Sequence, residues 1–290
     1  MKTEHRVRFT RPLILLLLLL SACSAPLEDR LAAIPLTDQP LVGKFIWHDL
    51  VTDDVALSKR FYGSLLGWSF EDTTGPRGNP YTLVFNGNRL VAGMIELADP
   101  ADVDYSRWLG YLSVDDIEQA ADFTRQQGGD VVAGPIDLSG IGRAAAVQDP
   151  QQAVVGLLQS SVGDPADSLE PGPGVVVWNE LLAADASNAA GFYAALAGME
   201  VEEQQRPRGV YRVLNAQGRE RAGVMPRPDE NVEPFWLTHF GVADVAAAAG
   251  QVEALGGRLL LGPDPEFRNG KLAVVVDRSG AILALSQWTR

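Results

Sequence analysis

The chain has 290 residues, with 24 Lys+Arg against 37 Asp+Glu, three His and one Cys, and a formal charge of −13. One cysteine excludes an intramolecular disulfide framework and any zinc site built on two or four cysteines. The acidic balance excludes a phosphate-binding surface for nucleic acid, and the 46% hydrophobic content excludes a disordered chain. The length suits two domains.

Taken in chain order, the first segment is basic, with Lys2, Arg6, Arg8 and Arg11, and then apolar from Leu13 to Leu20. A basic start and a short apolar run form a secretory signal, and the run is too short to span a bilayer. Leu20-Ser21-Ala22-Cys23 resembles the lipobox of bacterial lipoproteins. The resemblance implies cleavage of residues 1–22, lipidation of Cys23 and a lipid anchor in the membrane. Ser24 rather than Asp after the cysteine favours the outer membrane, on its periplasmic side. Cleavage removes four basic residues and one acidic residue, so the net charge becomes −16. Such a body is repelled by anionic lipid, and acyl chains must hold it. Residues 24–42, with three prolines and little periodicity, read as a tether, so that 23–43 form the lipidated Cys and tether.

The remainder is a repeat. Trp47, Leu50, Asp54, Phe61, Tyr62, Leu65 and Gly67 return as Trp178, Leu181, Asp185, Phe192, Tyr193, Leu196 and Gly198. Tyr81 and Gly93 return as Tyr211 and Gly223, and Trp108, Gly128 and Gly134 return as Trp236, Gly256 and Gly262. A period this long is a duplicated domain, here 44–160 and 174–290, with the polar, turn-rich 161–173 as linker. Each copy holds two smaller units. An apolar run reaches an Asp-containing turn, where the Asp or a Thr can cap the helix that follows. Leu57, Phe61 and Leu65 form a helical stripe, and Gly128-Gly129 and Gly256-Gly257 stand where helices should stop. The strand candidates YTLVF, RLVAGMIE, AAAVQD and AVVGLLQS complete a β-α-β-β-β pattern, four times over.

The four-fold pattern and the W-x-[D/E]-L…D-x₆-F-Y…G-[W/M] motif resemble the vicinal oxygen chelate superfamily of glyoxalases, bleomycin-resistance proteins and extradiol dioxygenases. The resemblance covers residues 44–288. It implies an α+β fold of tandem glyoxalase-like domains, each with two βαβββ units forming a curved mixed sheet around a cup. It also implies a divalent metal held by His, Glu or Gln facing the cup. Spacing places those positions at Trp47, Gly93, Leu109 and Gly156, and at Trp178, Gly223, Leu237 and Ala284, none of which is a side-chain ligand. No cofactor is therefore expected, and no divalent metal.

Strand residues two apart share a face. The candidate ligand-binding set is thus Trp47, Asp49, Tyr81 and Tyr111 in the first cup, and Trp178, Glu180, Tyr211 and His239 in the second. Trp, Tyr and a carboxylate suit a small cationic or aromatic ligand. The alternative is that Trp47 and Trp178 fill the cups as packed core, with each carboxylate held by an arginine such as Arg143 or by backbone N–H. Glu180 with His239 is a candidate acid/base pair. His48 falls on the opposite strand face and packs beneath a helix in this reading, and Trp108 and Trp236 are packing residues. SGIGRAA (139–145) precedes a strand rather than a helix, which argues against a dinucleotide loop. The leading expectation is an envelope lipoprotein that binds or sequesters a small molecule without metal, its domains pairing within the chain. A lyase, isomerase or dioxygenase of the superfamily, or an envelope protein-interaction module, are the alternatives.

Overall fold

The computed structural model describes residues 34–288, apart from 77, 98–105, 170 and 208. The signal, Cys23 and Ser24 lie outside the described residues. Among those described, no helix is long and apolar enough to cross a membrane.

Among the described residues, sixteen strands and four helices follow the β-α-β-β-β order four times. The first unit has β1 (Phe45–Thr52), α1 (Val55–Leu66), β2 (Ser69–Thr74), β3 (Pro80–Asn86) and β4 (Arg89–Glu96). The second has β5 (Arg107–Ser113), α2 (Ile117–Gln126), β6 (Asp130–Leu138), β7 (Gly142–Gln148) and β8 (Val154–Ser160). The third has β9 (Val176–Ala183), α3 (Ala186–Leu196), β10 (Glu200–Arg206), β11 (Gly209–Ala216) and β12 (Arg219–Pro226). The fourth has β13 (Phe235–Val242), α4 (Val245–Ala249), β14 (Arg258–Leu261), β15 (Leu272–Val276) and β16 (Ile282–Gln287). Each pair of units forms one open eight-stranded mixed sheet, β2-β3-β4-β1-β5-β8-β7-β6 and its counterpart β10-β11-β12-β9-β13-β16-β15-β14. The first strands of the two units, β1 and β5, run antiparallel at the centre, and β9 and β13 do the same.

Local sequence explains these elements. All four helices carry the Asp cap expected from the turns: Asp54, Asp116, Asp185 and Asp244 each accept a hydrogen bond from a free backbone N–H of the first turn. Gly67 ends α1 in a left-handed conformation, φ 71°. After α2, Gly129 has no room for a side chain, since a Cβ there would lie 2.4 Å from the Gln148 carbonyl oxygen.

One face of each sheet carries the helices, and on that side the halves share two cores. Leu112, Ile117, Val155 and Leu157 join Leu181, Tyr193, Leu214 and Trp236, with Phe123 and Phe192 rings 5.6 Å apart between α2 and α3. Leu50, Tyr62 and Trp108 join Phe240, Val245 and Leu283. The helix tyrosines of the FY motif cross this boundary. The Tyr62 hydroxyl donates to Asp277 at 2.9 Å and accepts from Trp108 Nε1 at 2.9 Å. Tyr193 donates to Asp149 at 3.0 Å and accepts from Trp236 Nε1 at 3.0 Å. Trp108 and Trp236 are thus buried packing residues that also donate a bond. Each domain's helix tyrosine thus holds a buried aspartate of the other.

His48 lies buried on the strand face opposite the cup. It meets its repeat counterpart Asn179 at 2.9 Å across the seam between the sheets.

The segment read as a tether does more than connect. Thr37 N donates to Asp164 O at 2.8 Å and Ala166 N to Pro35 O at 2.8 Å, pairing residues 35–37 with the linker. A lone antiparallel bridge, Leu36 to Pro165, leaves no periodic signal in a sequence. Asp167 in the linker accepts a bidentate bond from Arg221 and pairs with Lys44 at 3.0 Å, so its carboxyl is held at about 2.

Candidate functional site

The faces opposite the helices carry the two cups. In the first, Asp49 is paired with Gly93 on β4 and with Leu109 on β5, and Tyr111 with Gly156 on β8. The register thus puts Asp49 and Tyr111, rather than Trp47 and Leu109, level with the two glycines. Trp47, Asp49, Tyr81 and Tyr111 all come together. Tyr81 donates to Asp49 Oδ1 at 2.6 Å, and Trp47 Nε1 lies 2.9 Å from Asp49 Oδ1 and 3.0 Å from the Tyr81 hydroxyl. The Tyr111 hydroxyl lies near the same carboxylate and favours its charged form. Burial nevertheless pushes the Asp49 carboxyl above the ordinary range, against the downward pull of those donors. Arg143 is not its partner: it pairs on the surface with Glu118 and Asp137.

The glycines make this arrangement possible. A Cβ on Gly93 would lie 1.8 Å from the Tyr81 hydroxyl and 2.3 Å from Asp49 Oδ1. One on Gly156 would lie 2.5 Å from the Tyr111 ring. Above this polar floor is a cavity of about 680 Å³. Its walls are apolar, including Ile95, Ile136, Leu138, Ile141, Ala144 and Leu158, and Ile34 and Leu36 of the N-terminal segment close one side. Trp47 therefore borders a space and does not fill it.

The second cup repeats the motif and ends differently. Tyr211 donates to Glu180 Oε1 at 2.8 Å and accepts from Trp178 Nε1 at 2.9 Å, over Gly223, where a Cβ would lie 1.8 Å from the Tyr211 hydroxyl. His239 stands where the first cup has Tyr111. Its Nδ1 meets Ser286 Oγ at 2.9 Å, and its Nε2 lies 3.6 Å from Glu180 Oε2. Arg268, from a single 3-10 turn between β14 and β15, donates to Glu180 Oε1. Arg206 covers the Tyr211 ring from 3.5 Å. Burial alone would raise Glu180, but His239, Arg268 and Tyr211 together hold it down to about 2. The candidate acid/base pair is thus brought together, yet a carboxylate so stabilised is a weak base.

Arg268 escaped the sequence reading. The pairs Asp130–Gln148 in the first domain and Arg258–Val276 in the second occupy equivalent places 128 residues apart. The same offset sets Arg268 opposite Gly140, which lines the first cavity. Both adopt left-handed backbone, φ 50° for Arg268 and 69° for Gly140. The available signal was this mismatch within the repeat: one cup carries its own cation where the other has no side chain.

An open mixed sheet of two βαβββ units around a cup, written twice, defines the glyoxalase-like class. The comparisons agree. The model of the Glyoxalase/Bleomycin resistance protein/Dioxygenase superfamily matches residues 44–157. The glyoxylase-named protein CFP32 of Mycobacterium bovis is 33% identical over 242 residues, covering 82% of this chain and 92% of that protein. The anthracycline biosynthesis protein DauV of Streptomyces sp. strain C5 is 29% identical, over 81% of this chain and 90% of its own. Among solved structures, the Mn(II)-bound glyoxalase from Novosphingobium aromaticivorans superposes with a TM-score of 0.55 at 13% identity, over 85% of this chain and 82% of that one. An extradiol ring-cleaving dioxygenase from B. fuscum gives 0.56 at 15%, over 89% and 75%. This chain belongs to the Glyoxalase/Bleomycin resistance protein/Dioxygenase superfamily.

Solved neighbours include a Mn(II) protein, so the donor set must be tested against a metal. Among the described residues no three His, Cys, Asp or Glu side chains gather at one point. In the first cup, Asp49 is the one carboxylate, and glycines stand at its sheet neighbours 93 and 156. In the second, Glu180 and His239 would be two donors, but a guanidinium already occupies the carboxylate. The side chains present do not fit a divalent first-row metal in either cup.

Proposed function

We propose that the first cup is a metal-free binding site for a small, planar, largely apolar molecule, and that the protein sequesters or carries it. The observation that carries this reading is the cavity of about 680 Å³ beside Asp49, with largely apolar walls and its one carboxylate at the floor. Its size falls within the range of drug-sized sites, roughly 300–1,000 Å³. Two relatives are named for anthracycline biosynthesis, and anthracyclines are planar polycyclic molecules. In the second cup the cation is Arg268, so we assign that cup a structural role.

Screening the mature, chelator-treated protein by thermal shift tests the reading. Planar apolar compounds should raise the melting temperature through mass action. A library in which none does so would sink it.

A second reading follows the glyoxylase name of CFP32. A carboxyl raised by burial and facing a cavity is placed to accept a proton, so Asp49 could serve as a general base without metal. Recovery of a changed product from a bound ligand would favour it over sequestration.

We further propose that Cys23 carries the lipid that holds the protein at the outer membrane. The support is the lipobox-like Leu20-Ser21-Ala22-Cys23 and the −16 charge of the exported form, which gives no electrostatic route to a membrane. Cys23→Ser should release the protein into the soluble periplasmic fraction. Continued membrane association would count against the anchor.

A further inference from the structure

The donors and acceptors at the floor of the first cup can be counted, and the count selects the ligand's chemistry. This step rests on the reading of that cup as a binding site. Trp47 has one N–H, and it is spent on Asp49 Oδ1 and the Tyr81 oxygen. Tyr81 has one O–H, spent on Asp49 at 2.6 Å. Tyr111 has one O–H, and burial together with the nearby Asp49 carboxylate pushes its pKa well up. Higher on the wall, Ser160 donates its hydroxyl to the Gly163 carbonyl at 2.6 Å. At the rim, Asn79 places one amide N–H on the Pro80 carbonyl at 3.2 Å.

Lone pairs remain. An aspartate carboxylate offers about four acceptor positions and each phenolic oxygen two. Two donors on Asp49 and one on Tyr81 leave unused acceptors on Asp49, Tyr81 and Tyr111. The floor therefore presents more acceptors than donors, with the Trp47 N–H and the Tyr81 O–H both spent within it. A guest that brings only acceptors, such as a ketone or an ether, strips water from these oxygens and returns nothing, which is the expensive outcome in a buried site. A guest with a hydroxyl or ring N–H returns the lost bond.

We propose that the first cup recognises planar apolar molecules through a hydrogen-bond donor on the ligand, a phenolic hydroxyl or heteroaromatic N–H, accepted by the Asp49–Tyr81–Tyr111 cluster. The two glycines that make room for the tyrosines are part of this device, because a side chain at either would displace an acceptor. The second cup shows the same logic completed from within: Arg268 supplies the N–H that Glu180 accepts. The first cup has Gly140 at that place, so its donor must come from outside.

Isothermal titration of the mature protein with three probes of one shape tests this: a hydroxynaphthalene, its methyl ether and the corresponding acetylnaphthalene. The hydroxyl compound should bind on the order of ten-fold more tightly than either acceptor-only analogue. Asp49→Asn exchanges an acceptor oxygen for an NH₂ donor and should narrow that ratio. Equal or tighter binding of the ether or the ketone overturns the inference and leaves the binding reading intact. A ratio unchanged in Asp49→Asn also overturns it, by moving recognition elsewhere. Binding by none of the three overturns both. The wild-type comparison is decisive alone if the variant does not fold.

Discussion

Among single residues, the buried histidines divide between the two faces of the sheets. His239 shares the second cup with Glu180, whereas His48 meets the Asn179 side-chain oxygen. Burial lowers the His48 pKa from 6.5 to about 4, opposed only partly by that bond. The folded protein thus binds this proton less readily than the unfolded chain. The corresponding stability is present in full above pH 6.5 and is lost as pH falls toward 4. Denaturant melts should show about 2 kcal/mol less stability at about pH 5 than at about pH 7 from this group alone. His48→Gln should remove that part of the slope. Identical slopes in wild type and variant would contradict the assignment. That His48 faces away from the cup could be read from strand alternation, but its partner could not. Asn179 is its own repeat counterpart, and only the pairing of the two sheets brings equivalent positions into contact.

The helices and strands were legible because each rests on local chemistry. Aspartates cap all four helices, and the strand Arg89–Glu96 coincides with the apolar run read there. What the elements do to one another was less so. The FY pair on α1 and α3 looks like a helix stripe, and Phe61 and Phe192 behave as one. Tyr62 and Tyr193 instead reach the opposite domain, where Asp277 and Asp149 are fixed by turn amides: Asp277 Oδ1 accepts from Ser279 and Ala281, and Asp149 Oδ1 from Gln151 and Ala153. Tyr62→Phe would leave Trp108 Nε1 and Asp277 Oδ2 without their bond in a buried place, a cost of about 1–3 kcal/mol. Tyr193→Phe should cost a similar amount, and because the two lie in separate cores the losses should add. Equilibrium urea unfolding measures both. Losses within about 0.5 kcal/mol of wild type, the usual range for surface changes, would show that these bonds do not fasten the domains.

For the molecule as a whole, duplication has produced two cups with one floor plan and different contents. Trp, Tyr, carboxylate and glycine recur in each, which is why the candidate set was visible in the repeat. The difference was not, because it sits in a loop, at Gly140 and Arg268. A non-glycine residue in left-handed backbone costs roughly 1–2 kcal/mol, and in the second cup the ion pair with Glu180 offsets it. The N-terminal segment and linker add the last wall of the open cup through Ile34, Leu36 and Pro165. That wall belongs to neither repeat and had no counterpart to align with. One working site per chain is therefore expected. Calorimetric titration of the mature protein with a ligand found by the thermal-shift screen tests this most directly, alongside Gly140→Arg, which places in the first cup the residue that the second tolerates at the same backbone conformation. The expected result is one ligand per chain in the wild type and none in Gly140→Arg, with folding retained. Two ligands per chain, or undiminished binding by a folded Gly140→Arg, would contradict it.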